Sequence, residues 1–353
     1  MRPAALPGLR TGEDRARLLS QVVRRVEEPV VILGEAVTAT AAWIAAQGLV
    51  PHLWLDSLAE ARSVEAALRP PTAPHIFLDP AGEGLPLAAF RTVFLLLPRG
   101  RALQRLLWQA AAALVHPQGR IAFVGEKREG IRAALEEGRA IVGQAAILRR
   151  KGGLHAGLAS PPPAPLPFPA PTLRFTPLTL EGREAEVAAC EGVFAAGRLD
   201  AGAAALIAAM EVGAGQRCLE LGCGTGVVGL AAALRGGEVM ATDVSARAVC
   251  ATRATFRRNG IEAEVRHTLG GEGLPDAAFD RVLTNPPFHS GRGRTGAVAD
   301  FFIAEARRLL RPGGKLYLVG NAFLPYGERI RAELGSVRLV RDDGRFRVWE
   351  AVR

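Results

Sequence analysis

Cysteine is scarce in this sequence. The 353 residues contain only four cysteines, at positions 190, 218, 223 and 250. That number is too small for a disulfide-stabilised scaffold, and the spacing matches no paired metal-ligand pattern. The sequence therefore predicts reduced thiols, no bound metal and a cytoplasmic protein.

Long apolar runs are also missing. The longest uncharged run, residues 36–55, includes Thr38, Gln47 and Pro51, and it is too polar to span a bilayer. The N-terminal residues lead into a charged stretch, 10–17, and contain no apolar signal core. We therefore expect no membrane span and no secretory signal.

Lysine is rare as well. Only Lys127, Lys151 and Lys315 occur, so nearly all of the 44 basic residues are arginine. The basic residues exceed the 35 acidic ones and give a formal net charge of +9. Arginine is well suited to bidentate contact with phosphate, although GC-rich coding produces the same bias. The composition is therefore compatible with a nucleic-acid partner but does not establish one.

Proline, in contrast, is concentrated between two apolar halves. Seven of the eleven residues from 161 to 171 are proline, which favours an extended segment that joins neither a sheet nor a helix. On both sides of it, short apolar runs alternate with longer helical stretches, the pattern of a parallel α/β sheet. The sequence predicts an α/β protein with a domain at 1–160, a linker at 161–173 and a second domain at 174–353.

The two halves resemble each other at a nearly constant offset. Four landmarks of the first half, at 30–35, 53–56, 93–98 and 117–120, recur in the same order at 217–222, 240–243, 282–287 and 312–315. This order indicates a duplicated domain. Where the second half has three glycines the first has only Gly34, and Leu96 stands in place of Asn285. We therefore expect the N-terminal copy to be degenerate, without a ligand site.

A glycine-rich turn follows an apolar run in the second half. Residues 220–226 are Glu-Leu-Gly-Cys-Gly-Thr-Gly, and they precede an alanine-rich stretch, 227–234, that is predicted to be a helix. Glycines let the backbone approach a ligand, and the N–H groups of the helix start point at it. Asp243 follows the next predicted strand, 238–242, and could accept hydrogen bonds from ribose hydroxyls. The turn alone fits NAD as well as another adenosine cofactor.

Two consecutive prolines follow the predicted strand at 279–284, within the motif Asn285-Pro286-Pro287-Phe288. They fix the backbone and remove two donors, so the motif holds its acceptors in one orientation. The side-chain oxygen of Asn285 and the backbone oxygen of Pro286 could bind the two hydrogens of an exocyclic amine on an aromatic base. Phe288 would stack on that base. We expect this motif to be the catalytic site.

These motifs resemble those of a known enzyme family. The Glu-x-Gly-x-Gly-x-Gly turn is similar to the first motif of class I S-adenosylmethionine (AdoMet) methyltransferases, and Asn-Pro-Pro-Phe to that of their amine-methylating branch. Segments that resemble the ribosomal RNA small subunit methyltransferase C family lie at 124–128, 192–194, 199–202, 285–291, 321–326 and 344–348. That family methylates N2 of a guanine in 16S rRNA. The resemblance implies two tandem Rossmann-like class I methyltransferase domains, the N-terminal one degenerate.

The resemblance also implies roles for individual residues. AdoMet would bind at Phe194, Asp200, Glu220, Gly222, Gly224, Gly226, Asp243 and Thr268. Thr268 would stand in for the Asp or Asn that the family usually places at the adenine ring. Catalysis would fall to Asn285, Pro286 and Phe288, and further contacts with the guanine to Pro287, His289, Asn321, Phe323 and Tyr326. Because the methylated amine can lose its proton to water, we expect His289 to contact substrate or support the fold, not to act as a base.

The arginine surplus is uneven along the chain. Residues 1–173 hold 20 basic and 14 acidic side chains, whereas 174–353 hold 24 and 21. The degenerate copy therefore carries most of the net charge, as expected if it docks on RNA phosphates. Candidate contacts are Arg99, Arg101, Arg105 and the run Arg149-Arg150-Lys151. The alternative interpretation is an ordinary solvated face.

Several functions remain compatible with these motifs. The leading one is a monomeric guanine-N2 methyltransferase that acts on 16S rRNA, within the small subunit or an assembly intermediate. The alternatives that share its pocket are the related large-subunit enzyme acting on 23S rRNA and a protein methyltransferase acting on a glutamine amide. An RNA-binding assembly factor with a vestigial site is disfavoured because Glu220, Asp243 and Asn285 are intact. An NAD oxidoreductase is least favoured, since the second half offers no acid for hydride transfer.

Overall fold

The computed structural model describes residues 7–287 and 291–353. Phe288 and His289, both predicted to contact the substrate, lie outside the described residues. The chain forms two compact units, Met1–Pro171 and Thr172–Arg353. Their boundary falls inside the segment predicted as a linker.

The first unit is a seven-stranded sheet covered by helices. Its helices are α1 (Pro7–Val22), α2 (Thr38–Ala45), α3 (Leu58–Ala67), α4 (Arg101–Leu114) and α5 (Ile131–Val142), with a 3₁₀ turn at Lys127–Glu129. Its strands are β1 (Val30–Gly34), β2 (Pro51–Trp54), β3 (His75–Phe77), β4 (Phe90–Leu96), β5 (Val115–Glu126), β6 (Ala145–Lys151) and β7 (Leu154–Ala159). The strand order is β3-β2-β1-β4-β5-β7-β6. The first five strands are parallel, and β7 and β6 run antiparallel to their neighbours.

Alternate residues of the central strands supply a core on each face of this sheet. In β1, Val31 packs in the cluster that contains Trp108 of α4, whereas Ile32 packs in the opposite cluster with Ile44 of α2. Successive side chains of a strand point to opposite faces. A strand buried on both faces is therefore a continuous apolar run, as residues 30–33 are in the sequence.

The second unit repeats this architecture. Its helices are α6 (Ala201–Ala209), α7 (Val227–Leu234), α8 (Ala246–Arg258), α9 (Gly291–Leu309) and α10 (Tyr326–Leu334), and a 3₁₀ turn spans Phe194–Gly197. A separate hairpin of β8 (Arg174–Leu180) and β9 (Arg183–Ala189) precedes the main sheet. The main strands are β10 (Arg217–Leu221), β11 (Glu238–Asp243), β12 (Glu264–His267), β13 (Phe279–Thr284), β14 (Leu310–Asn321), β15 (Arg338–Asp342) and β16 (Phe346–Val352). Their order, β12-β11-β10-β13-β14-β16-β15, matches that of the first sheet position by position and confirms the predicted duplication of a Rossmann-like domain.

The strand registers shift the first two landmarks of the repeat by one residue, because Leu33 and Leu221 hold equivalent places in the central strands. Trp54 occupies the place in the first sheet that Thr242 occupies in the second, because each pairs with the last apolar residue of the central strand. The position equivalent to Asp243 is therefore Leu55, whereas the sequence comparison aligned Asp56 with it. A one-residue slip reverses the face of every side chain in a strand. The first copy thus has an apolar residue where the second has its strand-end acid.

The strand ends of the first unit that correspond to the Asn-Pro-Pro motif are satisfied by internal side chains. The Leu97 carbonyl accepts a hydrogen bond from Nη1 of Arg15 at 3.2 Å, and the Pro98 carbonyl accepts one from Nε2 of Gln104 at 2.7 Å. Arg15 is only 5% exposed, and its Nη2 donates to Glu129 at 3.0 Å. A buried charge is tolerated when it is paired and hydrogen-bonded. The first unit therefore satisfies these strand ends with its own side chains.

The proline-rich segment packs partly on the first unit. It contains neither helix nor strand, in line with its composition. Leu166 and Phe168 nevertheless pack against the first core, and the Phe168 ring meets Trp54 edge-on at 4.9 Å between centroids. The segment is thus anchored at these two side chains and is not a free tether.

Within residues 7–287 and 291–353, no helix is long and apolar enough to cross a membrane. Nor do those residues contain a group of three or more His, Cys, Asp or Glu side chains placed to hold a metal ion.

Candidate active site

The parallel strands of the second unit end at one edge of the sheet, where most predicted site residues gather. Leu221 ends β10, Asp243 ends β11 and Thr284 ends β13. The Thr284 hydroxyl donates to the Leu221 carbonyl at 2.9 Å. This bond ties the end of β13 to the central strand at the point where Asn285 begins. Thr284 was not among the predicted site residues, although a hydroxyl at the end of a buried strand needs such a partner.

The glycine turn is held against β11. Gly222, Gly224 and Gly226 have φ of +72°, +56° and +75°, a region that other residues rarely adopt. The Gly222 amide donates to the Thr242 carbonyl at 2.9 Å. A side chain added at Gly224 would meet nothing within 4 Å, so the backbone there faces open space. The turn therefore leaves room for a ligand at its middle glycine.

Asp243 is fixed beside that open space. Its Oδ2 accepts from the Gly224 amide at 2.9 Å, and its Oδ1 accepts from the Ser245 amide at 2.9 Å. Each carboxylate oxygen has more than one acceptor site, so further donors such as ribose hydroxyls can still bind. Ser245 also caps α8 by accepting from the Ala248 amide at 3.1 Å. An acid followed two residues later by a helix-capping serine is a signal that sequence analysis could have used.

Glu220 lies beneath the turn instead of facing the open space. It is 4% exposed, and its Oε2 accepts from the Gly229 amide of α7 at 2.9 Å. Burial raises the pKa of this carboxyl to about 8, although the hydrogen bond from Gly229 lowers it; the neighbouring Asp243 charge makes a smaller contribution that raises it. The side chain therefore supports the start of α7 from within. Its contact with a cofactor stays a prediction.

The buried carboxyl of Glu220 should make stability depend on pH. Its pKa is raised from 4.5 to about 8, so between these values the folded chain holds a proton that the unfolded chain releases. The contribution of Glu220 to stability is thus full below about pH 4.5 and is lost as the pH rises towards 8. Glu220→Gln keeps the acceptor and removes the ionisation. In urea denaturation, the free energy of unfolding of the variant should rise relative to that of the parent as pH rises from 5 to 8. A difference between the two that does not change with pH would contradict this account.

Asn285 has one half of its amide engaged and the other half unsatisfied. Its Nδ2 donates to Oδ2 of Asp200 at 3.2 Å. Its Oδ1 is shielded from solvent and has no hydrogen-bond donor within the described part of the chain. A side chain added at Gly202 would lie 3.3 Å from this oxygen and 2.9 Å from the Asp200 carboxylate. A buried acceptor left unpaired costs about 1–3 kcal/mol, which an N–H group of a bound molecule would recover.

Asp200 acts through the same oxygen that holds Asn285. It is the N-cap of α6, and its Oδ2 accepts from the amides of Gly202 at 2.9 Å and Ala203 at 3.2 Å. Three donors thus converge on one carboxylate oxygen and hold it in place. The structure thus brings Asp200 to Asn285, whereas the sequence predicted a contact with the cofactor.

The remaining predicted cofactor contacts lie around this edge. Phe194 is exposed in its 3₁₀ turn. The Thr268 amide donates to the Asp243 carbonyl at 3.0 Å, which places Thr268 next to the acid. Its hydroxyl donates to the Glu272 carbonyl at 3.3 Å, a weak bond. Cofactor contacts at Phe194 and Thr268 stay predictions.

The loop predicted as a wall of the substrate site divides into an inner and an outer part. Asn321 ends β14 and is half-buried, and Phe323 is 81% exposed. Tyr326 is 1% exposed and packs edge-on against Trp349 at 5.8 Å. The structure therefore does not place the Tyr326 side chain where it could touch a substrate. Of the two prolines, Pro286 is buried and Pro287 exposed.

Tandem doubly wound sheets, one of them with a glycine turn, a strand-end acid and a rigid Asn-Pro-Pro motif, define a class I methyltransferase. The methyltransferase small domain family matches residues 184–350. The chain is 34% identical over 272 residues to ribosomal RNA small subunit methyltransferase C of Hahella chejuensis, a match that covers 75% of this chain and 78% of that protein. The chain belongs to the ribosomal RNA small subunit methyltransferase C family, as its motifs predicted.

Two further comparisons differ in extent. Ribosomal RNA large subunit methyltransferase G of Streptomyces coelicolor is 45% identical over 167 residues, which is 46% of this chain and 44% of that protein. The solved structure of the T. thermophilus 16S rRNA N2 G1207 methyltransferase, in complex with AdoMet and guanosine, is similar with a TM-score of 0.84. That match has 26% identity and covers 96% of this chain and 92% of the other. It supports the tandem fold across both units.

Proposed function

We propose that this protein transfers a methyl group from AdoMet to the exocyclic N2 amine of a guanine in 16S rRNA. The observation that carries the proposal is the amide of Asn285. Asp200 occupies its nitrogen, so the group left over beside the two prolines is a buried acceptor. An acceptor selects an N–H donor and therefore suits an amine. The T. thermophilus relative, in complex with AdoMet and guanosine, supports both ligands.

The second unit has the features that an adenosine cofactor requires. The open backbone at Gly224 leaves room for a ligand, and Asp243 is held rigidly where it can accept from ribose hydroxyls. When bound, AdoMet supplies a methyl group on a positively charged sulfur. Asp243 would orient the ribose. The glycine turn would leave the space of the ligand free of side chains.

The Asn-Pro-Pro motif would act mainly by positioning. Asn285 Oδ1 and the Pro286 carbonyl accept the two amine hydrogens and hold the nitrogen in one place. Fixing two reacting groups recovers about 7–11 kcal/mol of the barrier, against about 1 kcal/mol for each hydrogen bond. The nitrogen would bond the methyl carbon as the bond from that carbon to sulfur breaks, with the electron pair staying on the sulfur. The nitrogen would then release one proton to water, so no side chain has to act as a base. His289 has no proton-transfer role in this proposal.

The remaining predictions follow from this substrate. The segment 1–160 would dock ribosomal RNA, 161–173 would connect it and 174–353 would carry out the reaction. We expect the protein to act as a monomer without a metal ion, in the cytoplasm, on an assembling or assembled small subunit.

The test is to incubate the protein and labelled AdoMet with naked rRNA, 30S particles, 50S particles and release factors, and to digest the products. We expect label in N2-methylguanosine from 16S rRNA. Label in N2-methylguanosine from 23S rRNA would favour the large-subunit activity, to which the 45% identity over 167 residues to methyltransferase G points. Label in glutamine or in N6-methyladenine would contradict both.

The exposed ring of Phe323 gives a prediction for substrate binding. It is 81% exposed on the loop after β14, where it can stack on a base next to the target. Stacking is worth about 1–3 kcal/mol per base, so Phe323→Ala should raise KM for rRNA by about 5- to 150-fold and leave AdoMet affinity unchanged. Phe175→Ala, in the separate hairpin, is the matched control. Equal KM values for both variants would show that Phe323 contacts no RNA.

A further inference from the structure

Five exposed cations gather at one end of the sheet in the first unit. Arg149, Arg150 and Lys151 end β6, Lys127 starts the 3₁₀ turn after β5, and Arg132 lies in the first turn of α5. The Lys127 amide donates to the carbonyl of Gly153 at 2.8 Å, which joins that turn to the β6–β7 hairpin. We call Lys127, Arg132, Arg149, Arg150 and Lys151 the hairpin patch.

Three members of the hairpin patch surround one imidazole. Arg150 lies directly across the hairpin from His155. The pKa of His155 is lowered mainly by burial, and Arg150, Arg132 and Lys127 lower it further because a second positive charge is unfavourable there. Cations on β6, on the 3₁₀ turn and on α5 thus act on the same side chain. The hairpin patch is therefore a compact cluster, although its members come from separate elements.

The acidic residues of this region are already engaged by other cations. Residues 99–151 hold eleven basic and only four acidic side chains. Glu126 and Glu129 pair with Arg15 and Arg128, Glu136 pairs with Arg139, and Glu137 pairs with Arg101 and Arg105. Arg101 and Arg105, predicted as phosphate contacts, are therefore neutralised in part. Over residues 7–287 and 291–353, none of the ion pairs includes a member of the hairpin patch.

The duplicated fold supplies an internal comparison. The hairpin of β15 and β16 occupies the same place in the second sheet. Asp342, the last residue of β15, accepts from Arg347 at 2.8 Å, and Asp343, the first residue of the turn, accepts from the amides of Arg345 and Phe346. Asp342 lies opposite Arg347 across its hairpin, the place that Arg150 has opposite His155, so the first hairpin has a cation where the second has an acid. The architecture is therefore compatible with acids here, and the positive charge of the hairpin patch is not a requirement of folding.

We propose that the hairpin patch binds the phosphate backbone of ribosomal RNA and holds the substrate on the first unit. Clustered cations without ionic partners match closely spaced phosphates and release counterions when they bind. Phosphate contacts position a nucleic acid without reading its sequence. The hairpin patch thus sets affinity for RNA, whereas the choice of guanine belongs to the second unit. The identity of the partner rests on the proposed function.

The test uses the full-length protein with three cations neutralised, Lys127→Gln, Arg132→Gln and Arg150→Gln. The control carries Arg24→Gln, Arg25→Gln and Arg69→Gln, three exposed cations elsewhere in the first unit, so the net charge of the two variants is equal. We expect the patch variant to bind 16S rRNA at least tenfold more weakly. Its slope of log affinity against log salt should shrink by about 0.7–0.9 for each lost phosphate contact. AdoMet affinity and kcat at saturating RNA should not change, and the control should behave like the parent.

Each other outcome is decisive. Unchanged rRNA affinity and salt slope in the patch variant would overturn the proposal. Weaker binding to 30S particles with unchanged binding to naked 16S rRNA would overturn it too, because the patch would then face an acidic protein. If the parent methylates guanine but the patch variant binds RNA normally, the hairpin patch does not bind RNA and the proposed function stands. If the patch variant loses RNA affinity but the parent methylates no guanine, the proposed function is wrong and RNA binding by the hairpin patch is supported.

Discussion

Asn285→Ala is expected to lower kcat for methyl transfer by about two to three orders of magnitude, the cost of removing one positioned group where charge develops. The amine nitrogen becomes positive as it accepts the methyl group, so an acceptor on its hydrogen stabilises the transition state more than the ground state. AdoMet affinity should stay within a few-fold, because the glycine turn and Asp243 do not contact Asn285 through hydrogen bonds. Single-turnover methyl transfer and calorimetry with AdoMet measure the two quantities separately.

The control for Asn285→Ala is Asn321→Ala, a second asparagine at a strand end of the same sheet. Asn321 is a predicted substrate contact, so Asn321→Ala should raise KM for rRNA and leave kcat unchanged. A collapse of AdoMet affinity in Asn285→Ala would show that the division of roles between the two asparagines and the glycine turn is wrong.

Substitutions at Asp200 are expected to separate helix capping from catalysis. All three donors on Asp200 converge on Oδ2, so the amide oxygen of Asp200→Asn can accept all three bonds. Asp200→Asn should therefore retain most activity. Asp200→Ser keeps a good N-cap, but its shorter side chain does not reach Asn285. The Ser variant should keep its melting temperature and lose about tenfold in kcat, the effect of a hydrogen bond of roughly 1.4 kcal/mol.

The same pair of variants tests the role that the family resemblance implied for Asp200. If Asp200 binds AdoMet through its charge, Asp200→Asn should weaken AdoMet binding and leave the Asn285 bond intact. If it positions Asn285, AdoMet affinity should hold in both variants, and only Asp200→Ser should lose kcat. Parallel losses of kcat and melting temperature in Asp200→Ser would instead indicate a purely structural residue.

Local patterns made much of the second unit predictable from sequence. The helix at 227–234 and the strand at 279–284 begin and end where they were predicted, because a glycine turn and a proline pair mark their ends. The tandem fold was predictable because its two copies share the order of their landmarks. The exact register was not, since Asp56 and Leu55 are neighbours that both follow an apolar strand.

Contacts between distant residues were beyond the reach of those patterns. Asp200 and Asn285 are 85 positions apart, and only the packing of α6 against the sheet brings them together. Whether an aromatic ring on a loop is buried or exposed depends on its neighbours in space. The sequence alone therefore does not distinguish the buried Tyr326 from the exposed Phe323. Trp349, which covers Tyr326, lies on β16 and is likewise distant along the chain.

The bond from Arg15 to the strand end of the first unit makes the stability of the two units differ in its dependence on ligands. A protein that binds a ligand only when folded is stabilised in proportion to the logarithm of ligand concentration. Arg15 is covalently part of the chain, so the bonds it makes at the old strand ends are present at every concentration of any small molecule. The first unit thus contains a permanent internal ligand. No bound molecule is needed to satisfy these strand ends, so the folding of the first unit does not depend on a ligand at them.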